Sequence, residues 1–121
     1  MLSVKMYTFQ IRWRRFAPEV ELNVFRIVQE ALTNILKYAE ATEVNIQLIH
    51  NTKERAVLNI TIEDNGKGFD MNHYSPGIGL SNMEDRAKEL KGTFSLDSTP
   101  GQGTIIFIEI PAEVKGVKRE V

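Results

Sequence analysis

Residues 64–69 read Asp-Asn-Gly-Lys-Gly-Phe and combine a carboxylate with two glycines. The preceding residues 57–63 alternate between apolar and polar side chains, which predicts a strand that ends at Asp64. A carboxylate there can accept hydrogen bonds from a ring amine and its neighbouring donor. Gly66 and Gly68 let a flat ring approach the backbone because they carry no Cβ. The stretch is therefore a candidate base-binding site, although Asn65-Gly66 taken alone is more typical of a hairpin turn.

A second pair of glycines, Gly77 and Gly79, precedes Leu80 at the predicted start of a helix. The first turn of a helix presents unpaired N–H groups and the positive end of the dipole, and glycines let an oxyanion come close. Such a pair is a weak signal by itself. It follows the candidate base site after one aperiodic loop, residues 70–76, which is typical of a lid. One nucleotide could therefore span both sites.

Four polar residues form a stripe along the long helix predicted from Pro18 to about Ala39: Arg26, Glu30, Asn34 and Lys37. Their steps of three and four residues stack them on one line. The amide oxygen of Asn34 can complete an octahedral Mg²⁺ shell with phosphate oxygens and water. Glu30 can accept a proton from the attacking nucleophile or orient it, and Lys37 can reach a phosphate. The alternative is a solvated stripe in which Arg26 pairs with Glu30.

Strand-like segments precede and follow the candidate site residues in the sequence. They predict a sheet that must position these residues. The hydroxyl of Thr104, at the start of the last strand, can reach a base directly or through water, although Gly101-Gln102-Gly103 before it is also typical of a hairpin turn. The last strand is almost continuously apolar, which predicts a central strand buried on both faces. A second helix is predicted over residues 80–90, with Gly92 ending it. The predicted strands are residues 4–11 (an edge strand), 44–49 and 56–63 (an antiparallel hairpin), 93–97 and 104–110.

Composition narrows the classes of function. The chain has 121 residues, of which 42% are hydrophobic, and this is typical of one compact domain. Its formal net charge of -1 disfavours nucleic acid as a partner. The absence of cysteine excludes thiol catalysis and disulfides. No apolar run approaches the ~20 residues of a membrane helix. We expect a cytoplasmic domain over residues 1–121 without membrane contact, with a core over residues 18–111 and a frayed tail over residues 112–121.

The order of these motifs resembles the ATP-binding catalytic domain of sensor histidine kinases, in the superfamily shared with gyrase, a heat-shock chaperone and mismatch-repair ATPases. Residues 25–34 match the N box of that family, residues 64–69 its first glycine box, residues 77–80 its second and residues 101–104 its last. Within the family, the N box and the run that begins Gly-Leu-Ser-Asn-Met resemble the bacterial subfamily of nitrate- and membrane-fluidity-responsive sensors.

The resemblance implies an α/β fold of the Bergerat type, a two-layer α+β sandwich whose mixed, mainly antiparallel sheet carries helices on one face. It implies ATP and Mg²⁺ as cofactors and transfer of the γ-phosphoryl group to histidine. Asp64 would accept the adenine amino group, Asn34 would bind Mg²⁺, and Glu30 would polarise the accepting histidine. The remaining ATP contacts would come from Lys37, Gly66, Gly68, Gly77, Gly79, Leu80, Ser81 (through its amide) and Thr104.

The chain departs from the family pattern in two respects. Tyr38 stands where the subfamily often has histidine, which leaves any contact of that ring open. Neither His50 nor His73 lies on a predicted helix beside an acidic residue, as a phosphate acceptor would. We therefore expect one monomeric domain of a longer kinase, which does not phosphorylate itself. Its partners would be a histidine-bearing dimerisation domain of the parent chain and, downstream, a response regulator.

Two other functions remain open at this point. A serine kinase of the anti-sigma-factor type shares the nucleotide fold, and it would produce an acid-stable phosphate where a histidine kinase produces an acid-labile one. A non-catalytic interaction module would use bound ATP only to order the lid and dock a partner. Glu30 disfavours this second alternative because a module that only binds needs no proton acceptor there.

Overall fold

The structure is a computed structural model and describes residues 2–11, 16–73 and 78–113. None of the helices in these residues is long and apolar enough to cross a membrane. A π-helical turn, Ile35–Ala39, continues the first helix, and a 3-10 turn, Met71–His73, precedes the second. The strands and helices are β1 (Ser3–Phe9), α1 (Pro18–Asn34), β2 (Glu43–Asn51), β3 (Val57–Asp64), α2 (Ile78–Glu89), β4 (Thr93–Thr99) and β5 (Gly103–Pro111).

The five strands form one sheet in the order β1-β2-β3-β5-β4. β1 pairs with β2 in parallel, and every other neighbouring pair is antiparallel. This confirms the predicted mixed sheet, the β2–β3 hairpin and the position of β1 at an edge. All seven residues of β1 are exposed, so the helices do not extend over this strand.

The helices cover one face of the sheet. Val24, Ile27 and Ala31 of α1 and Met83 and Ala87 of α2 are buried in a single apolar cluster with the inward side chains of the strands. Those inward side chains alternate along each strand, because successive residues point to opposite faces of a sheet. They include Ile46, Leu48, Ile60, Ile62, Ile106, Ile108 and Ile110. The predicted two-layer α+β sandwich is therefore confirmed.

The prediction for β5 is only half right. β5 is an interior strand, between β3 and β4. However, Phe107 on its outer face is 49% exposed, whereas Ile106 and Ile108 on its inner face are buried. No helix in the described residues packs on the outer face, so the strand is not buried on both sides. An apolar run shows that a strand suits a sheet interior, but it does not show how many layers cover that sheet.

The ordered body extends past β5. Ala112, which the sequence assigns to the tail, is 1% exposed. Its amide donates to the carbonyl of Ala56 at 3.0 Å, and its carbonyl lies 2.9 Å from Nε2 of His50. His50 is buried in β2 and also meets the ring of Phe16 edge-on, at 5.0 Å between centroids. His50 therefore holds Ala112 against the core. Residues 114–121 lie outside the described residues.

The end of α2 differs from the prediction in one residue. Lys91, and not Gly92, has the left-handed backbone conformation, with φ 60°. The amide of Gly92 then donates to the carbonyl of Ala87 at 2.8 Å. Gly92 is required for a different reason, because a Cβ there would lie 2.3 Å from the carbonyl oxygen of Glu109 on β5. The glycine therefore permits close packing of the helix end on the sheet.

We expect Lys91→Gly to stabilise the chain by about 0.5–1 kcal/mol, because glycine adopts a positive φ without the strain that a Cβ adds. Urea unfolding followed by circular dichroism measures the change. Glu89→Gly, in the last turn of α2, is the matched control and should destabilise the chain by about 1 kcal/mol. A lower stability of Lys91→Gly would contradict this account of the helix end.

Candidate functional site

A cavity of about 420 Å³ opens between α1 with its π-helical turn, the end of β3, the start of α2, and β5. Among the predicted site residues that the structure describes, five line it: Asn34, Asp64, Gly68, Leu80 and Thr104. The rest of the wall is largely apolar and includes Ala31, Ile35, Met83 and Ile106. The cavity is thus a mainly apolar pocket with a few polar groups, which is the usual character of a small-molecule site.

Asp64 is the buried carboxylate of this cavity, with 6% exposure. One of its oxygens accepts a hydrogen bond of 2.8 Å from the amide of Gly66. Burial raises the pKa of Asp64 above its ordinary value of 3.8, and the nearby charge of Glu63 adds to the rise. Hydrogen bonds from the amides of Gly66 and Thr104 oppose it without cancelling it. The cavity therefore contains an acceptor whose ionised form is incompletely solvated.

Asp64, Thr104 and Ser98 form one row across three neighbouring strands. Thr104 on β5 lies opposite Asp64 on β3 and opposite Ser98 on β4. Residues opposite each other share a face of the sheet, so all three side chains lie on the helix-covered face. Two of the three buried polar or charged residues in the described part of the chain, Asp64 and Ser98, belong to this row.

The glycines after β3 allow close contacts between backbones. Gly68 has φ 62°, and a Cβ there would lie 2.1 Å from the carbonyl oxygen of Thr99. Gly66 does not line the cavity, but a Cβ there would lie 2.2 Å from the carbonyl oxygen of Ala39. The side chain of Asn65 accepts two hydrogen bonds of 2.9 Å, from the amide of Glu43 at the start of β2 and from the amide of the residue before it. The hairpin-turn interpretation is wrong, because β3 is followed in the chain by α2 and not by an antiparallel partner strand.

The polar stripe of α1 meets the cavity at one residue. Asn34 lines the cavity, whereas Glu30, one helical turn earlier, is half-buried and does not line it. Lys37 and Arg26 are exposed and also lie outside the lining. In the described part of the chain no ion pair joins Arg26 to Glu30. The interpretation of the stripe as a solvated face on which these two residues pair is therefore wrong.

Tyr38 also lines the cavity, with 65% of its surface exposed. It lies in the π-helical turn after α1, a type of turn that is frequent at functional sites. Sequence reasoning left any contact of this ring open. The available signal was spacing, since Tyr38 follows Asn34 by four residues and Ala31 by seven.

The start of α2 contributes to two cavities. Leu80 lines the main cavity, whereas Ser81 lines a second one of about 240 Å³ together with Met71 and Glu84. The side chain of Ser81 is thus not part of the main cavity, and only its amide remains a candidate for a phosphate contact. Gly79 lies in the first turn of α2, and Gly77 lies outside the described residues. Of the expected lid, Asp70 lines the main cavity, and residues 74–76 lie outside the described part.

The protein atoms at this site supply little for a metal ion. The described residues contain no group of three or more histidine, aspartate or glutamate side chains placed to hold one. Asn34 contributes one amide oxygen at the cavity. Mg²⁺ prefers six oxygen ligands and keeps several waters. The residues present therefore fit Mg²⁺ only when phosphate oxygens and water complete its shell.

Comparison with known proteins identifies the family. A model of histidine kinase-, DNA gyrase B- and HSP90-like ATPases matches residues 19–114. The signal transduction histidine-protein kinase/phosphatase DegS of Bacillus subtilis is 39% identical over 102 residues, which cover 81% of this chain and 26% of that protein. DegS of Brevibacillus brevis is 40% identical over 98 residues, 80% of this chain and 25% of that protein. The chain thus spans about a quarter of these relatives.

Solved structures show the same fold. The histidine kinase domain of the blue-light activated kinase from Erythrobacter litoralis EL346 superposes with a TM-score of 0.68 at 23% identity, covering 89% of this chain and 54% of that one. The ATP-binding domain of PrrB from Mycobacterium tuberculosis gives a TM-score of 0.63 at 24% identity, covering 77% of this chain and 69% of that one. Family model, relatives and fold agree: the chain belongs to the histidine kinase-, DNA gyrase B- and HSP90-like ATPase family.

Proposed function

We propose that the chain is the ATP-binding catalytic domain of a bacterial sensor histidine kinase, and that it transfers the γ-phosphoryl group of ATP to a histidine on a separate dimerisation domain. The observation that carries this proposal is the pairing of Asp64 and Thr104 at a largely apolar cavity that also reaches Asn34 and the start of α2. The similarity to the two DegS kinases supports it.

The cavity suits an adenine base. The carboxylate of Asp64 would accept the amino group of the base, and Thr104 would contact the base directly or through water. Ile106 and Met83 provide apolar surface for the ring. Gly68 lines the same part of the cavity, and its missing Cβ lets this wall pack closely on the carbonyl of Thr99.

The phosphates would extend toward the first turn of α2, where unpaired N–H groups favour anions. Asn34 would hold Mg²⁺ together with the phosphate oxygens, and the ion would neutralise their charge. Lys37 is exposed and can swing toward a phosphate. Glu30 would polarise the attacking nitrogen of the histidine as the bond from the γ-phosphorus to the leaving ADP oxygen breaks. Positioning and charge supply most of the catalysis in such transfers.

The proposal places the accepting histidine outside this cavity. His50 is buried, lies in β2 and is in contact with the carbonyl of Ala112, so it serves the core. We infer that the phosphate passes to a histidine-bearing dimerisation domain and then to a response regulator, in the cytoplasm, and that the chain alone is a monomer. The finer placement among nitrate- and membrane-fluidity-responsive sensors is likewise a proposal, supported by the N box and the residues that begin α2.

We expect Asp64→Asn to weaken binding of a non-hydrolysable ATP analogue with Mg²⁺ by about 5- to 150-fold, because a mismatched buried partner costs about 1–3 kcal/mol. Calorimetric titration measures the affinity. Asp97→Asn makes the same change at an exposed residue of β4 and should leave the affinity unchanged. Equal affinities of Asp64→Asn and the parent chain would show that the base does not bind at Asp64.

Nucleotide affinity should also depend on pH through Asp64. The base binds the ionised carboxylate, so affinity falls as the pH drops through the pKa of Asp64, which burial raises above 3.8. We expect the ratio of parent to Asp64→Asn affinity for ADP to decline on acidification from about pH 7, beginning above the ordinary Asp value. Protonation of ADP itself cancels in this ratio. A constant ratio, over the range in which both chains stay folded, would contradict the role of Asp64.

In the full-length protein, we expect Glu30→Gln to leave nucleotide affinity unchanged and to slow phosphoryl transfer by about 10²- to 10⁴-fold, the usual contribution of general acid–base catalysis. Glu21→Gln, at an exposed position in the first turn of α1, is the control. Equal transfer rates in Glu30→Gln and the parent would remove Glu30 from the mechanism. Acid lability of the phosphorylated product tests the acceptor, because a product stable to acid would indicate serine.

A further inference from the structure

Ser98 is a buried hydroxyl that sequence reasoning did not select and that touches the nucleotide site only through its neighbours. Its Oγ lies 2.9 Å from the amide nitrogen of Phe69, 3.1 Å from the carbonyl oxygen of Gly103 and 2.8 Å from Oγ1 of Thr104. Ser98 is only 6% exposed, so water does not compete for these contacts. Three polar groups therefore share one serine hydroxyl.

The number of hydrogens fixes the direction of each bond. The amide of Phe69 can only donate and the carbonyl of Gly103 can only accept, whereas a hydroxyl has one hydrogen and two lone pairs. Ser98 therefore accepts from Phe69 and donates to Gly103. Its second lone pair faces Thr104, so Thr104 must donate to Ser98. In the reverse arrangement, the oxygens of Ser98 and Gly103 would face each other at 3.1 Å without a hydrogen between them.

We propose that Ser98 is a positioning residue that makes the site selective for 6-amino purines, because it holds the hydroxyl of Thr104 as an acceptor toward the cavity. This inference rests on the proposed function and deepens it. With its only hydrogen directed to Ser98, Thr104 offers the cavity lone pairs alone. Asp64, which lies opposite Thr104, is also an acceptor when ionised. The base end of the cavity thus presents acceptors from both side chains.

Such a pair of acceptors distinguishes purines with a 6-amino group from purines with a 6-oxo group. A 6-amino group carries two hydrogens and can satisfy Asp64 and Thr104, directly or through water. A 6-oxo group carries lone pairs and would face lone pairs on Thr104. If Thr104 were free to rotate, its hydroxyl could donate to that oxygen. Ser98 therefore acts on selectivity through Thr104, and a site that leaves polar groups mismatched rejects the wrong ligand.

The test compares binding of ADP and inosine diphosphate, which carry 6-amino and 6-oxo purines, by calorimetry. The chains are the parent, Ser98→Ala, Thr104→Val and the double variant, with Ser95→Ala as a control at an exposed serine of the same strand. We expect the parent to prefer ADP. Ser98→Ala should reduce this preference by about two- to tenfold, the worth of one neutral hydrogen bond. Ser95→Ala should not change it.

The double variant distinguishes a role of Ser98 in positioning Thr104 from a general role in stabilising the fold. If Ser98 acts through Thr104, Ser98→Ala changes the ratio of affinities in the parent but not in the Thr104→Val background. A merely structural serine would weaken ADP and inosine diphosphate equally and leave the ratio unchanged, which would overturn the inference. If Ser98→Ala does not fold, Thr104→Val alone decides, because an unchanged ratio there also overturns it.

The parent chain separates this inference from the proposed function. A folded parent that binds neither nucleotide would overturn the proposed function and the inference with it. A parent that binds both nucleotides equally would leave the nucleotide site standing and overturn the selectivity. A preference for ADP that falls in Ser98→Ala and in Thr104→Val, and falls no further in the double variant, supports the inference.

Discussion

The site depends on a carboxylate that the fold buries without pairing it to a cation. Within the described residues no ion pair includes Asp64, and its hydrogen bond to the amide of Gly66 only partly offsets the loss of hydration. A buried charge of this kind costs stability. It is tolerated where a ligand completes its hydrogen bonds, because binding supplies the missing partner. Asp64 thus lowers the stability of the ligand-free chain, and the same carboxylate makes the cavity polar.

Strand register brings the partners of this carboxylate to it. Because side chains alternate between faces, a slip of one residue between β3 and β5 would move Thr104 to the exposed face. The inward isoleucines of both strands oppose such a slip, since it would expose them as well: Ile60, Ile62, Ile106 and Ile108. One pairing register between β3 and β5 therefore specifies both the apolar core and the positions of Asp64 and Thr104 in the polar row. The contacts of Ser98 depend in the same way on the register between β4 and β5.

Local pattern predicted much of this fold. Alternation located the strands, helical spacing located α1 and α2, and the end of a strand placed Asp64. The misses have two causes. Ser98 was missed because β4 was predicted to end at Asp97, although an inward polar residue after Phe94 and Leu96 was the available signal. The outer face of β5 and the reason for Gly92 depend instead on contacts between distant segments, which local pattern does not show.

The polar stripe of α1 lies partly in the cavity and partly outside it, and this difference is relevant to the mechanism of phosphoryl transfer. Asn34 lines the cavity, whereas Glu30, about 6 Å earlier along the helix axis, is half-buried and outside the lining. A residue that served the nucleotide alone would be expected inside the cavity. A residue that orients an incoming group must instead meet that group at the rim. The exclusion of Glu30 from the lining is therefore consistent with the proposed histidine acceptor on another domain, and His50, which is buried within the sheet, is not available as an acceptor.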